Sequence, residues 1–251
     1  MENKQQVTVI GGGLAGCEAA WQLAQAGYAV FLYEMKPEQY TPAHHYTGLA
    51  ELVCSNSLKA DRLASAAGLL KAEMERLGSL LIPCARATAV AAGGALAVDR
   101  HRFSDLVTEH IQNHPNITII QERVTALPKR CAVIATGPLT DGALAEDLER
   151  QCGKRLSFFD AAAPIVSYES LDPEKIFFAA RYDRGDADYI NCPMDQETYT
   201  AFYQALIVAE RAPLHDCDKE FFRVYEGCMP IEVLASRGED TMRFGPLRPV
   251  G

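Results

Sequence analysis

Three glycines near the start of the chain have the spacing of a nucleotide-binding turn. Gly11, Gly13 and Gly16 form the pattern GxGxxG, directly after an apolar stretch and before a predicted helix. Glycine suits positions where the backbone turns tightly, approaches a diphosphate, or packs a helix closely against a strand. The N–H groups at the start of the helix then face the anion. The residues predicted to bind a dinucleotide in this turn are Gly11, Gly12, Gly13, Leu14, Ala15 and Gly16.

An acidic residue follows at the distance that this kind of turn requires. Glu34 ends the second predicted strand, 18 residues after Gly16. A carboxylate there accepts hydrogen bonds from the hydroxyls of a ribose and disfavours a 2′-phosphate. The alternative is a glycine turn that only packs a helix on a sheet, but the complete strand, turn, helix, strand and acid order favours dinucleotide binding. A second short motif, Ala135, Thr136 and Gly137, closes a later strand and is predicted either to lie beside the cofactor or to form a plain turn.

Cysteines are the other residues with reactive side chains. They lie at Cys17, Cys54, Cys84, Cys131, Cys152, Cys192, Cys217 and Cys228. No pair has CxxC spacing and none has a histidine at finger-like spacing, so no metal site is predicted, and the adjacent His44 and His45 lack a third ligand. Each cysteine is then either a small buried hydrophobe or a reactive thiol. Cys17, in the first helix, and Cys131, at the start of a strand, are predicted to be buried.

The elements that position these residues alternate between strands and helices. β-branched apolar runs indicate buried parallel strands, and apolar residues at helical spacing indicate the helices between them. This alternation predicts an α/β fold with a doubly wound, Rossmann-like sheet. The predicted strands are 7–10, 30–33, 117–120 and 131–135, and the predicted helices are 14–26, 64–77 and 102–112.

Two other parts of the chain differ from this alternation in their residue composition and periodicity. Residues 36–60 contain two prolines and little periodicity, which predicts a functional or mobile loop. After about residue 153, aromatic and β-branched clusters predict an inserted, more antiparallel second domain with one helix over 196–211. We therefore expect a dinucleotide-binding domain over 1–152 and a second domain over 153–251.

Composition narrows the class of protein. The chain has 251 residues, of which 48% are hydrophobic and 23% charged, so intrinsic disorder is excluded. No apolar run is long enough to cross a bilayer, and no signal segment precedes the first strand, which predicts a cytoplasmic protein. The formal net charge of −9 argues against a generally basic surface for nucleic acid.

Five segments resemble the TrmFO family, the folate- and flavin-dependent tRNA (uracil-5-)-methyltransferases, which are related to the GidA proteins. The resemblance runs in order through essentially the whole chain, and the final segment is the most specific. The segments are VIGGGLAGCEAA (9–20), LAELVCSNSLK (49–59), GLLKAEMERLGSLL (68–81), AGGALAVDRHRFS (92–104) and EGCMPIEVLASRGEDTMRFGPLRPVG (226–251).

The resemblance implies a cofactor, a reaction and partners. FAD is the expected dinucleotide, and a methylene group from methylenetetrahydrofolate goes to a T-loop uridine of tRNA. Reduced FAD then converts it to the methyl group of 5-methyluridine, and NAD(P)H regenerates the reduced flavin. Folate and tRNA are therefore the expected partners. Members of the family continue beyond the last residue of this chain, so we expect a truncated chain, an incomplete FAD-binding domain over 1–152 and a substrate-side domain over 153–251.

The family match also selects candidate catalytic and substrate-binding residues. Cys228, in EGCMPIE, is expected to add to the uracil ring as a thiolate, and Cys54 to lie near the flavin and protect, relay or trap the methylene intermediate. Arginines of the final segment are expected to bind a phosphate or the glutamate tail of folate, or else to be surface residues balanced by nearby acids. These are Arg237, Arg243 and Arg248.

Two other functions remain open on the sequence. A generic FAD/NAD oxidoreductase would use the glycine turn and Glu34 but leaves EGCMPIE unexplained. A truncated chain that only binds flavin, without activity, is the non-enzymatic alternative.

Overall fold

The computed structural model describes residues 5–153, 166–180, 186–210, 231–243 and 247. The strands are β1 (Gln6–Ile10), β2 (Ala29–Glu34), β3 (Ser57–Ala60), β4 (Ala89–Val90), β5 (Ala95–Val98), β6 (Ile117–Gln121), β7 (Ala132–Ile134), β8 (Phe177–Ala179) and β9 (Tyr189–Asn191). The helices are α1 (Leu14–Gln25), α2 (Ala66–Arg76), α3 (Leu81–Ala87), α4 (Arg100–Gln112), α5 (Gly142–Cys152), α6 (Gln196–Val208), α7 (Ile231–Ala235) and α8 (Glu239–Arg243). Within these residues, no helix is long and apolar enough to cross a membrane.

A four-stranded parallel sheet forms the centre of the fold. Its strand order is β6-β2-β1-β7, and every neighbouring pair runs parallel. Counting only these strands along the chain, the order is 3-2-1-4, the arrangement of the Rossmann fold. The direction of winding changes between β1 and β7, and ligands of such sheets bind outside the carboxyl ends of the strands at that point. The predicted α/β, Rossmann-like fold is confirmed.

The main hydrophobic core lies between this sheet and helices α1 and α4. Helix α1 contributes small residues, which let it approach the sheet closely, and α4 contributes larger residues at helical spacing. Strands β1 and β2 contribute the β-branched and leucine side chains that these helices cover. The fully buried members of this core include Val9, Cys17, Ala20, Leu32, Val98, Phe103, Val107 and Ile111.

A smaller antiparallel sheet interrupts the parallel one in sequence. Strands β3, β5 and β4 form it in that order, within the segment that joins β2 to β6. The predicted helix over 64–77 is observed as α2, which begins after Ser65, whose hydroxyl accepts the Gly68 N–H at 3.1 Å. The three short strands and α3 were missed, and the predicted irregular loop over 36–60 ends in β3.

The described residues fall into two compact units. One contains those within 1–156 and 180–189, and the other those within 157–179 and 190–251. The second unit has its own small core, formed by Tyr199, Leu234, Ala235 and Met242. The predicted helix over 196–211 is observed as α6, and residue 211 lies outside the described residues. The domain boundary at 152/153 stays a prediction.

Candidate functional site

The glycine turn lies at the carboxyl ends of three neighbouring strands. The N–H of Gly11 donates to the carbonyl oxygen of Tyr33 at 2.8 Å, and the N–H of Ala135 donates to that of Ile10 at 2.8 Å. The turn after β1 is thereby held between the ends of β2 and β7. This is the edge of the sheet where the fold predicts a ligand.

Two of the predicted glycines are required by close packing. Gly11 has a φ of +100°, and a Cβ there would lie 2.5 Å from the carbonyl oxygen of Ala135. A Cβ on Gly16 would overlap the carbonyl oxygen of Gly11, because α1 passes directly over the turn. Only glycine fits at either position. The reason given by the sequence pattern, tight turning and close packing, therefore applies to both residues.

Gly13 leaves open space where an anion could approach. It is the N-cap of α1 and has extended backbone angles, and no atom of the described residues lies within 4 Å of the position that its Cβ would take. Gly13 has no side chain to cap the helix, and the first-turn N–H groups, those of Leu14 and Ala15 among them, have no acceptor within the helix itself. This open, uncapped helix start fits the diphosphate of a dinucleotide.

The carboxylate of Glu34 is already oriented by the backbone around it. Oε2 accepts the N–H of Gly12 at 2.7 Å, and Oε1 accepts the N–H of Lys36 at 2.9 Å. A carboxylate has about four acceptor positions, so capacity remains for two ribose hydroxyls. The acid at the end of β2 therefore lies against the glycine turn and fits the role of a ribose acceptor.

The motif after β7 lies beside the same turn. Ala135 contacts Gly11, and Gly137 has a φ of +74°. The hydroxyl of Thr140 donates to the carbonyl oxygen of Gly137 at 2.6 Å. The hydroxyl oxygens of Thr140 and Thr136 are also 2.6 Å apart. Because the Thr140 proton is used, Thr136 donates to Thr140. Residues 135–137 thus combine a position next to the glycine turn with the geometry of a strand-end turn.

A segment within the predicted irregular loop over 36–60 also forms part of this edge. The N–H of Ala50 donates to the carbonyl oxygen of Gly12 at 2.8 Å, and Ala50 has a φ of +51°. Leu49 is fixed by two residues of α4: its N–H donates to Thr108 Oγ1 at 2.8 Å, and its carbonyl accepts the hydroxyl of Ser104 at 2.5 Å. Leu49 and Leu52 are buried, and the presence of these two leucines in a predicted loop is the sequence signal for this packing.

A buried ion pair within the same region was also missed. The Lys36 and Glu51 side chains are 5% and 12% exposed, and Lys36 Nζ lies 3.3 Å from Glu51 Oε2. Lys36 Nζ also donates to the carbonyl oxygens of Gly48 at 2.6 Å and Tyr46 at 3.1 Å. Nothing in the local sequence pattern marks this lysine as buried, because its partners lie 10 to 15 residues away.

Cys54 is exposed, and it follows the segment that contacts the glycine turn. Cys54 lies four positions after Ala50, so its Cα lies within about 14 Å of that of Ala50. Asn56, two residues further on, exchanges two hydrogen bonds with the backbone of Val98, at 3.1 Å and 2.9 Å. The thiol is therefore accessible and lies on a stretch that is tied to folded structure on both sides.

The other cysteines divide by burial. Cys17 is fully buried as predicted, its thiol donates to the carbonyl oxygen of Gly12 at 3.3 Å, and burial followed by the charge of Glu34 raises its pKa to about 12. The prediction for Cys131 was wrong: β7 begins one residue later, and Cys131 is exposed. Cys228, the predicted nucleophile, lies outside the described residues.

A pocket of about 180 Å³ opens beside the Cys54 segment, and its lining includes Val53, Tyr46 and His101. The rings of Tyr46 and His101 are stacked with centroids 4.5 Å apart. The Tyr46 hydroxyl donates to Asp105 at 2.6 Å, and this hydrogen bond raises the pKa of Tyr46. His44 nearby contacts Thr41 Oγ1 at 2.6 Å, and burial lowers its pKa.

Arg237 and Arg243, two of the predicted arginines, belong to the second unit. Arg243 Nη1 pairs with Asp240 Oδ1 at 3.1 Å, one helical turn away, and both side chains are exposed. The backbone N–H of Arg237 donates to the carbonyl oxygen of Leu234 at 3.0 Å. Arg248 lies outside the described residues. Binding of phosphate or folate by these three arginines stays a prediction.

Comparison with known proteins identifies similar chains. The TrmFO methylenetetrahydrofolate–tRNA-(uracil-5-)-methyltransferase of Shouchella clausii is 57% identical over 252 residues, which covers 100% of this chain and 57% of that protein. The protein of the same name from Geobacter sulfurreducens is 57% identical over 247 residues, covering 98% of this chain and 56% of the relative. The chain thus spans about 57% of the length of the curated relatives it matches.

Among solved structures, Aquifex aeolicus GidA matches with 20% identity and a TM-score of 0.41, over 51% of this chain and 21% of that one. This similarity is too low to support a statement about the site. The profile of the family described as glucose inhibited division protein A matches residues 6–251. Because that match includes nearly every residue, the chain belongs to the glucose inhibited division protein A family.

Proposed function

We propose that this chain forms part of a methylenetetrahydrofolate–tRNA-(uracil-5-)-methyltransferase. The observation that carries the proposal is 57% identity to a relative of that name, extending over 100% of the chain. The substrates are then methylenetetrahydrofolate and tRNA, and the product is 5-methyluridine in the T-loop. NAD(P)H is the proposed source of the electrons that the cofactor carries.

The glycine turn is the proposed site for FAD. Its diphosphate would lie over Gly13 at the uncapped start of α1, and its adenosine ribose would donate to Glu34. Residues 135–137 would flank the cofactor from the end of β7. When bound, reduced FAD supplies the electrons that turn the transferred methylene into a methyl group. The cofactor domain would comprise 1–152 and the substrate-side domain 153–251.

Thiol chemistry would activate the base. Carbon 5 of uracil is a poor nucleophile, but addition of a cysteine thiolate to carbon 6 gives an enolate that attacks an activated one-carbon unit at carbon 5. We assign that addition to Cys228, on its position in the EGCMPIE segment. Cys54 is proposed as a second site thiol, which its exposure and its connection to the glycine turn support. Arg237, Arg243 and Arg248 would hold a phosphate of tRNA or the folate tail.

The test is transfer of labelled methylene to tRNA. Residues 1–251 replace the matching part of the Shouchella clausii relative, and the purified chimera is incubated with FAD, NADPH, labelled methylenetetrahydrofolate and undermodified tRNA. We expect label in 5-methyluridine. A Cys228→Ala chimera should lose transfer but keep bound flavin, whereas Cys131→Ala, at an exposed cysteine without a proposed role, should keep both.

Two results would contradict the proposal. Oxidation of NADPH with no label in tRNA would indicate a generic flavin oxidoreductase. A colourless 251-residue chain, together with a colourless and inactive chimera, would indicate a remnant without cofactor. Full transfer by the Cys228→Ala chimera would overturn the assignment of the nucleophile alone.

A further inference from the structure

Lys36 is connected to both polar backbone groups of Gly12. It contacts Glu34, which accepts the Gly12 N–H, and it contacts two residues that flank Ala50, which donates to the Gly12 carbonyl. The Gly12 N–H donates to Glu34 Oε2 at 2.7 Å, and the other oxygen of that carboxylate accepts the Lys36 N–H at 2.9 Å. The Gly12 carbonyl accepts the Ala50 N–H at 2.8 Å. Ala50 lies between two residues whose polar atoms contact the Lys36 ammonium, Gly48 and Glu51. The contacts therefore form a closed ring through one lysine.

The side chain of Lys36 is fully used in this ring. Its ammonium has three protons and three acceptors, the carbonyl oxygens of Tyr46 and Gly48 and the carboxylate of Glu51, at 3.1, 2.6 and 3.3 Å. Glu51 Oε1 in turn accepts the N–H groups of His45 and Tyr46 at 2.9 and 3.1 Å. Because the pair is largely removed from water, loss of either partner leaves an uncompensated buried charge.

We propose that Lys36 is a positioning residue for dinucleotide binding, an inference that rests on the proposed function. Its backbone N–H and the Gly12 N–H together fix the carboxylate of Glu34 in the orientation that accepts a ribose. Its side chain fixes residues 46–51, which support the carbonyl side of the turn and lead to Cys54. One residue therefore aligns Glu34, the glycine turn and the segment that leads to Cys54.

A purely structural role makes a different prediction. If Lys36 only stabilised the fold, its removal would weaken every ligand of the turn equally. The backbone N–H of Lys36 survives a substitution of this residue, so the effect must come from the side chain. If the side chain holds residues 48–51 against the Gly12 carbonyl, and so positions the Gly12 N–H that orients Glu34, its removal should selectively weaken ligands that offer ribose hydroxyls. ADP and 2′,3′-dideoxy-ADP, which correspond to the ADP half of FAD with and without those hydroxyls, separate the two roles.

The experiment compares three variants of the 251-residue chain with the unchanged chain. They are Lys36→Met, Lys36→Met with Glu51→Gln, and Lys71→Met as the matched control. Lys71 is as buried as Lys36, and its ammonium donates to the carbonyl oxygens of Ala60 and Ala67, away from the glycine turn. The double variant removes the orphaned charge and keeps the test open if Lys36→Met does not fold.

We expect the unchanged chain and Lys71→Met to bind ADP at least tenfold more tightly than the dideoxy analogue in calorimetry. The Lys36 variants should lose most of this ratio, to threefold or less. Hydrogen exchange of residues 46–52 should accelerate at least tenfold in the Lys36 variants and less than twofold in Lys71→Met. An unchanged ADP ratio in the folded double variant would overturn the proposal.

The outcomes separate this inference from the proposed function. If the unchanged chain binds neither ADP nor FAD, the proposed cofactor site fails, and the assignment of Lys36 to ligand positioning fails with it. In that case the exchange data still decide whether Lys36 holds the segment to the turn. If the unchanged chain binds FAD but the Lys36 variants prefer ADP over the dideoxy analogue as strongly as it does, only the role of Lys36 is wrong.

Discussion

The carboxylate of Glu34 accepts the backbone N–H of Gly12 at 2.7 Å, across 22 residues of sequence. The contact joins the end of β2 to the turn that follows β1. Because the second oxygen is held by the Lys36 N–H at 2.9 Å, the acid is oriented by two backbone donors before any ligand binds. A pre-oriented acceptor loses less freedom when a ribose binds, and this favours affinity.

Replacement of this acid should cost both stability and cofactor binding. In Glu34→Gln the side-chain NH₂ faces one of the two backbone N–H donors, so a hydrogen bond to a charged group is lost. Such bonds contribute about 1.5–3 kcal/mol. We expect the free energy of unfolding in urea to fall by about 1.5 kcal/mol and the Kd for FAD to rise at least tenfold. Glu38→Gln, at an exposed position, is the control and should change neither. Equal behaviour of the two variants would contradict the assigned role of Glu34.

Two glycines of the turn should respond differently to the same substitution. Gly16→Ala places a Cβ onto the carbonyl oxygen of Gly11, so we expect a loss of unfolding free energy of about 1–3 kcal/mol. Gly13→Ala enters open space with a φ of −73°, so it causes no overlap, and the less favourable alanine N-cap should lower the stability by no more than about 1 kcal/mol. If the diphosphate lies over Gly13, that variant should nevertheless bind FAD at least tenfold more weakly. Urea unfolding and flavin fluorescence measure the two effects, and unweakened binding by Gly13→Ala would place the diphosphate elsewhere.

The parallel sheet could be predicted from sequence because its signals are local. An apolar run, a glycine turn, a helical pattern and a terminal acid follow each other within residues 7–34, and each element is observed within one or two residues of its prediction. The antiparallel strands were missed for a physical reason. β4 has two residues and β5 four, too few for an alternating pattern, and their pairing depends on partners distant in sequence.

The candidate site was predictable only where residue type and spacing carry the chemistry. The glycines and Glu34 have a recognisable spacing, and the structure places them together. Lys36 and Ala50 lack such a signal, since their role depends on a segment that folds back over the turn. The prediction that Cys131 is buried was wrong because the predicted strand begins at residue 131, one residue before the observed start of β7. Contacts made where the chain folds back, rather than by local pattern, account for the failure at Lys36 and Ala50.

Two large apolar side chains should differ strongly in their contribution to stability. Phe103 on α4 is fully buried, whereas Leu70 on α2 is 56% exposed. Phe103→Ala removes a core ring and leaves a cavity, so we expect a loss of about 3–5 kcal/mol in urea unfolding. Leu70→Ala should change stability by no more than about 0.5 kcal/mol, because surface substitutions rarely cost more. A loss of about 2 kcal/mol or more of unfolding free energy in Leu70→Ala would mean that other residues pack against this face of α2.

The thiol of Cys17 should make the protein less stable at alkaline pH. Burial, with a smaller effect of the Glu34 charge, raises its pKa from 9.0 to about 12 in the folded chain. Between these values the unfolded chain releases the proton and the folded chain keeps it. The folded state therefore binds more protons, and stability falls as pH rises, by up to about 1.4 kcal/mol per pH unit. The contribution is fully present below pH 9 and is lost towards pH 12.

Cys17→Ala isolates this contribution from other groups that titrate in the same range. The measurement is the free energy of unfolding in urea, with a reducing agent, at pH 7.5, 9 and 10. We expect the difference between the unchanged chain and Cys17→Ala to shift by about 1 kcal/mol against the unchanged chain between pH 9 and pH 10. Leu70→Ala removes an exposed side chain without a titratable group and should leave the pH dependence as it is. A constant difference between the unchanged chain and Cys17→Ala would mean that this thiol reaches solvent in the folded state. In that case the glycine turn would open at high pH, because the Gly12 carbonyl oxygen in that turn accepts the thiol proton.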